Sequence, residues 1–165
     1  MNPYRLFRHV FSTRAAMRKR FNDAALSEIE LAIQDVESRI SGEVRFVVEA
    51  ALDIDDLYAG TTPRARALAA FSHLGVWDTE ANNGVLIYVL LADRDVEIVA
   101  DRGIARRVTQ DEWDAVCREI EAHYRQGRFA QGSVAGIRSV GRLLEKHFPD
   151  QQPDANELPN QPVLL

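Results

Sequence analysis

Residues 77–103, WDTEANNGVLIYVLLADRDVEIVADRG, hold the longest apolar run of this chain and most of its unusual polar residues. Residues 85–92 form an unbroken apolar run of eight, rich in β-branched and aromatic types, which follows the turn signal Asn82-Asn83-Gly84. Such a run predicts a central strand that is covered on both faces. It is too short to cross a bilayer as a helix, which takes about 20 residues.

The residues that follow predict a second strand. Asp93 and Arg94 form a tight connection, after which residues 95–101 alternate and pair antiparallel with the first strand. Glu97 and Asp101 then share one side of this second strand. A carboxylate on a covered face needs a cation, a hydrogen-bond donor or a raised pKa. We therefore expect the most informative chemistry of the chain on this side of the sheet.

Helical periodicity and capping signals predict the elements around this hairpin. In chain order they are a helix from Asn22 or Asp23 to Gly42, a strand over residues 43–50, a helix from Thr62 to Gly75, the hairpin, a helix from Thr109 to Gly127 and a last helix over residues 131–148. This order implies a parallel crossover followed by an antiparallel strand. The predicted fold is a three-layer α/β/α sandwich with a mixed central sheet of three to four strands. A fourth strand is expected near residues 103–108 or after Leu52.

The length of 165 residues and a 46% share of hydrophobic residues predict one domain with a sizeable core. Residues 23–149 form this domain, and the proline-rich residues 150–165 are expected to be disordered. Residues 1–22 carry six Arg and Lys and no acid, whereas the remainder carries 14 basic and 25 acidic residues, a formal charge of −11. This acidic body should repel nucleic acid.

The basic segment over residues 1–22 has two interpretations. It makes a weak contact with anionic membranes or with an acidic partner, or it is a frayed or body-docked helix attracted to its own acidic domain. The segment lacks the apolar stretch of a secretory signal, and the single Cys117 cannot form an internal disulfide. We therefore expect a cytoplasmic protein without a membrane span.

Polar residues at the sheet end suggest a ligand site, because ligands of open α/β sheets favour strand ends. The predicted ligand-binding residues are Asn82, Asn83, Gly84, Asp101, Arg102, Arg64 and Arg66. The predicted metal ligands, for Ca²⁺ or Mg²⁺, are Asp101, Glu97, Glu43 and Glu49. The competing interpretation is a structural ion-pair network that fixes helix on sheet, since both arrangements perturb carboxylates.

The order of these pieces resembles the TPM domain family. The resemblance rests on the run Asn-Asn-Gly-Val-Leu-Ile-Tyr-Val, the hairpin that ends in Asp-Arg-Gly-Ile, the Thr-capped helix and the Arg-Phe-x-x-Gly start of the last helix. It covers about residues 25–149. The family is known from a thylakoid-lumen protein implicated in photosystem II repair and from bacterial envelope proteins, some reported to bind calcium or to hydrolyse phosphate esters. Residues 101–103 fall where envelope members have Gly-x-Gly-Leu-Glu.

Two functions follow from the residues and the resemblance. The first is a soluble binding or assembly module linked to envelope or membrane-protein maintenance, whose partner is a protein such as a membrane-anchored TPM relative. The alternative is a divalent-metal-dependent phosphomonoesterase, in which carboxylates hold the cation and Arg64 or Arg102 neutralises the phosphate. No established catalytic motif is present, and no nucleophile is evident, so whether the chain is an enzyme stays open.

Overall fold

The computed structural model describes residues 3–148 and 155–165. Its helices and strands follow in the order α1 (Pro3–Phe11), α2 (Arg14–Arg20), α3 (Asp23–Glu37), β1 (Glu43–Glu49), α4 (Ile54–Ala59), α5 (Pro63–His73), β2 (Gly84–Leu90), β3 (Asp95–Ala100), α6 (Arg102–Ala105), α7 (Gln110–Arg125), α8 (Phe129–His147) and β4 (Val163–Leu164). None of these helices is long and apolar enough to span a bilayer.

The sheet has the strand order β3-β2-β1-β4 within the described residues. β1 and β2 run parallel, as expected of strands joined by a helical crossover, and β3 returns antiparallel beside β2. Arg94, at a φ of 56°, lies in the turn of this hairpin. The mixed α/β architecture predicted from the sequence is therefore confirmed.

Helices cover both faces of the sheet. On one face, the alternate residues Val85, Ile87 and Val89 of β2 join a core cluster to which α3, α7 and α8 contribute. On the other face, Leu86 and Tyr88 join a second cluster that includes Leu57 of α4 and Ala67 of α5. The eight-residue apolar run is thus buried on both sides, which is why it lacks polar alternation.

Side-chain caps set where most of the longer helices begin. Asn22, Thr62 and Thr109 each accept a hydrogen bond from the backbone N–H three residues later. Thr109 and Glu112 complete the predicted capping box. Asp53 caps the short helix α4 in the same way.

The N-terminal helices dock on the body, in agreement with the second interpretation of the basic segment. Arg5 of α1 forms an ion pair of 2.8 Å with Asp93 in the β-hairpin turn. Met17 and Phe21, at and just after α2, are 2% and 1% exposed and belong to the first core cluster. The packed body therefore begins before residue 23.

The C-terminal tail departs from the sequence prediction. Residues 150–154 lie outside the described residues, but residues 155–165 pack on the body, so the prediction of disorder is wrong for them. Val163 and Leu164 form β4, which pairs parallel with β1 and supplies the fourth strand at a place the sequence did not indicate. The physical reason is that polar groups of β1 bind tail backbone: Glu43 accepts hydrogen bonds from the N–H groups of residues 157 and 158.

Candidate functional site

The turn before β2 and the segment after β3 meet at one end of the sheet, as the sequence predicts. The backbone N–H of Asp101 donates to the carbonyl of Gly84 at 2.8 Å, which extends the β2–β3 ladder. The N–H of Gly103 donates to the carbonyl of Asn82 at 3.0 Å. These two bonds bring Asn82, Asn83, Gly84, Asp101 and Arg102 together.

Both glycines at this junction are required by close backbone approach. A Cβ on Gly84 would lie 2.0 Å from the carbonyl oxygen of Val76, and one on Gly103 would lie 2.5 Å from that of Asn82. Any larger residue would push the chain segments apart. The glycines thus allow the turn, the strand end and α6 to pack directly on each other.

Side chains fix the turn from both sides. Asn82 adopts the left-handed region with a φ of 53°, and its Oδ1 accepts a hydrogen bond of 2.7 Å from Nε of Arg102. Asp101 caps α6, because its Oδ1 accepts from the N–H of Arg102 at 2.6 Å. The second carboxylate oxygen, Oδ2, is buried and has no hydrogen-bond partner within residues 3–148 and 155–165. A buried acceptor without a donor is costly, so this oxygen is an unusual atom.

Two residues that sequence reasoning missed hold Asn83 in place. The N–H of Asn83 donates to Oγ1 of Thr79 at 3.1 Å, and its side-chain amide donates to Ser41 Oγ at 3.3 Å. Thr79 is 7% exposed and Asn83 is 4% exposed, so the base of the turn is buried. The four-residue spacing between Thr79 and Asn83 is a weak signal, and nothing in the sequence links Ser41 to the turn.

Arg64 and Arg66, predicted as ligand-binding residues together with those of the turn, contact the sheet face away from the turn. Arg66 of α5 donates two hydrogen bonds to the buried carboxylate of Glu49. Nε donates to Oε2 and Nη2 donates to Oε1, each at 2.9 Å. Arg64 pairs with Glu97 at 3.3 Å and donates to the carbonyl of Ile98 at 2.5 Å. The first turn of α5 therefore carries cations because the sheet face beneath it is acidic.

The four predicted metal ligands do not converge either. Glu43 and Glu49 lie at opposite ends of β1, six residues or roughly 20 Å apart at about 3.3 Å per residue. Within the described ranges, no group of three or more His, Cys, Asp and Glu side chains is placed to hold a metal. Only Asp101 lies at the turn, and the Arg102 guanidinium beside it opposes a cation. This donor set does not fit Ca²⁺ or Mg²⁺.

A third polar cluster, around Glu37, was not anticipated. Burial raises the pKa of Glu37 to about 8, although its carboxylate accepts a hydrogen bond of 2.8 Å from the N–H of Val44. Glu37 also accepts from the side-chain amide of Asn160 in the tail at 2.6 Å. Arg45, 6% exposed, donates to the carbonyls of Pro159 and Gln161. These groups bind the tail and explain the polar face of β1.

The same arrangement of elements is found in known proteins. A family model described as the TPM domain matches residues 17–143, which is most of the chain. This chain belongs to the TPM domain family. The TPM match ends before the C-terminal tail, so residues 155–165 lie outside the family model, whereas their partners on α3 and β1 lie inside it.

Solved structures agree with the TPM assignment. The BA42 protein of the psychrophilic bacterium Bizionia argentinensis, determined by NMR, is 36% identical, with a TM-score of 0.75 over 86% of this chain and 93% of BA42. N-terminal domains from P. gingivalis and Corynebacterium glutamicum, each 18% identical, share the fold with TM-scores of 0.64 and 0.55. They cover 81% of this chain and 82% and 80% of their own lengths. No curated protein matches the chain.

Proposed function

We propose that this TPM domain is a protein-binding module whose partner docks at the sheet end formed by Asn82, Asn83, Gly84, Asp101 and Arg102. The observation that carries the proposal is the buried Oδ2 of Asp101, which has no hydrogen-bond partner in the described residues. Natural proteins rarely leave such an acceptor without a donor. Because this oxygen is buried, a partner supplies the missing donor only when the half-buried side chain of Asp101 turns outward on binding.

The chemistry beside this oxygen favours a peptide backbone over a free cation. Arg102 uses its Nε for Asn82, and the guanidinium lies on an exposed residue with further N–H groups available for an acceptor. A backbone segment offers both a donor for Asp101 and a carbonyl for Arg102. A metal ion would offer only positive charge, and Arg106 and Arg107 add to the positive charge of this segment.

The junction is also rigid enough to recognise a partner. Asn82 is held by Arg102, and Asn83 is held by Thr79 and Ser41, so the turn is ordered before binding. A preorganised site loses less conformational entropy on binding than a flexible loop. A membrane-anchored TPM relative, and a role in maintenance of envelope or membrane proteins, remain predictions for the identity and purpose of the partner. The phosphomonoesterase alternative and the cytoplasmic location likewise remain predictions.

The proposal is tested with a random peptide library displayed on phage and selected against the immobilised full chain. Recovered peptides are measured against Asp101→Ser, Arg102→Gln and the control Arg64→Gln, whose side chain contacts β3 instead of the turn. We expect binding to weaken about tenfold or more in the first two variants, because a hydrogen bond to a charged group contributes roughly 1.5–3 kcal/mol. The control should bind like the wild type.

Three results would overturn the proposal. Recovery of no peptide above background excludes a peptide site, and equal binding by all variants places the site elsewhere. A rise in the thermal midpoint with Ca²⁺ or Mg²⁺ that disappears in Asp101→Ser assigns the turn to a metal instead.

A further inference from the structure

Helix α1 turns its apolar side toward solvent. Tyr4, Phe7, Val10 and Phe11, which we call the α1 face, are between 59% and 67% exposed. The rings of Phe7 and Phe11 lie in contact, tilted by 40° with their centroids 4.3 Å apart, and form one aromatic surface. Large apolar side chains grouped in this way on a surface mark an interaction site more often than scattered ones do.

The opposite side of α1 explains why the apolar side faces outward. Arg5 and His9 point to the body and both contact the carboxylate of Asp93, at 2.8 Å and 3.1 Å. Nδ1 of His9 accepts a hydrogen bond of 2.9 Å from the N–H of Leu52, so Nε2 carries the proton that is donated to Asp93. The polar contacts thus fix the rotation of the helix and hold the α1 face outward.

The charged side chains of α1 and α2 are all basic. Arg8 lies 5.9 Å from the centre of the Tyr4 ring, and α2 follows with a basic flank made of Arg14, Arg18, Lys19 and Arg20. Among the described residues, none of these five takes part in an ion pair, and residues 1–22 contain no acid. The acid in direct contact with α1 is Asp93, which Arg5 and His9 bind on the side opposite to the α1 face.

We propose that the α1 face and the basic flank form a docking surface for an anionic lipid bilayer. An exposed helix with aromatic residues and adjacent Arg and Lys is the combination that binds the interface of membranes with negative surface charge. The rest of the chain carries a formal charge of −11 and is repelled by such a surface, so only this end approaches it. The bilayer would bury the aromatic rings that water now contacts.

Point variants test this surface better than deletion of residues 1–22, because Met17 and Phe21 belong to the core. The full chain is sedimented with sucrose-loaded vesicles of phosphatidylcholine alone or with about 30% phosphatidylserine, a negative surface of the kind that attracts basic segments. We compare wild type with the pair Phe7→Ser and Phe11→Ser, with the pair Arg18→Gln and Lys19→Gln, and with Leu31→Ser as control. Leu31 is 63% exposed but lies on α3, outside the α1 face.

We expect the wild type to bind the anionic vesicles and not the neutral ones, with binding lost at about 0.5 M salt, where screening shortens the Debye length to a few ångströms. Both paired variants should bind at least roughly tenfold more weakly, and Leu31→Ser should bind normally. Absent wild-type binding, or equal binding by the phenylalanine pair, would overturn the proposal. A wild-type dimer that the phenylalanine pair converts to a monomer would also overturn it, because a second copy would then cover the α1 face.

Discussion

The hydroxyl of Tyr88 in β2 donates a hydrogen bond of 2.5 Å to the carboxylate of Glu49 in β1. Arg66 reaches the same carboxylate from α5, so three elements meet at one buried acid. Burial, together with the hydrogen bond to Glu49, raises the pKa of Tyr88 and keeps it a neutral donor. Glu49, Tyr88 and Arg66 therefore form a network that holds α5 on the sheet.

Replacing Arg66 with Met should therefore destabilise the fold. It leaves Glu49, whose side chain is 7% exposed, without its cation, and we expect the free energy of unfolding in urea to fall by about 2–4 kcal/mol. Arg64→Met is the matched control, since its partner Glu97 is more exposed and the loss should stay below about 1 kcal/mol. Equal effects of the two variants would contradict this assignment.

Asp93→Asn should loosen α1. Burial alone would raise the pKa of Asp93, but hydrogen bonds from Arg5 and His9 outweigh it and hold that pKa below its usual range. Its contribution to stability is therefore present above about pH 4, the ordinary pKa of Asp, and is lost as the pH falls through the lower folded value. At neutral pH the free energy of unfolding of the variant should be about 1–3 kcal/mol lower than that of the wild type.

Hydrogen exchange followed by mass spectrometry locates this effect of Asp93→Asn. Residues 3–11 should exchange faster in the variant, while β2 should keep its protection. Unchanged exchange across α1 would mean that the Asp93 contacts do not anchor the helix.

The pattern of residues 84–101 predicted the hairpin and the convergence at the sheet end, because alternation and turn signals act over a few neighbouring residues. The partners of the acids were less predictable. Glu49 and Glu97 share a face with Asp101, but which cation reaches each carboxylate depends on the rotation of α5, and helical periodicity leaves that rotation open. The sequence therefore indicated that these arginines balance the acids of the sheet face, but it did not show that Arg64 pairs with Glu97 and Arg66 with Glu49.

The tail illustrates a second limit. Proline and polar residues after position 149 are typical of disorder. Composition does not show that side chains of β1 bind the backbone of the tail. Glu43, Arg45 and Glu37 bind tail backbone and Asn160 from more than 100 positions away in the sequence. His9 was missed for a similar reason, since its partners Leu52 and Asp93 are distant along the chain.

The pH dependence of stability should reveal Glu37. Because its folded pKa is about 8, the folded chain binds more protons than the unfolded chain between about pH 4.5 and 8, so stability should fall as the pH rises through this interval. Glu37→Gln should remove the slope near pH 8 when urea midpoints are compared at several pH values. Asp95, whose pKa burial raises to about 6, contributes a slope of the same sign at lower pH, so Asp95→Asn serves as a control.

In the proposed function, the Asp101 carboxylate binds a partner and its Oδ2 adds nothing to the stability of the fold. Asp101→Ser keeps a side-chain oxygen that can cap α6 but removes the buried Oδ2 that lacks a partner. The most direct measurement is the free energy of unfolding of this variant in urea. We predict a value equal to or above that of the wild type, because functional residues are often not optimal for stability. A loss of about 2 kcal/mol or more would show that the carboxylate stabilises the fold and would overturn its assignment to a partner.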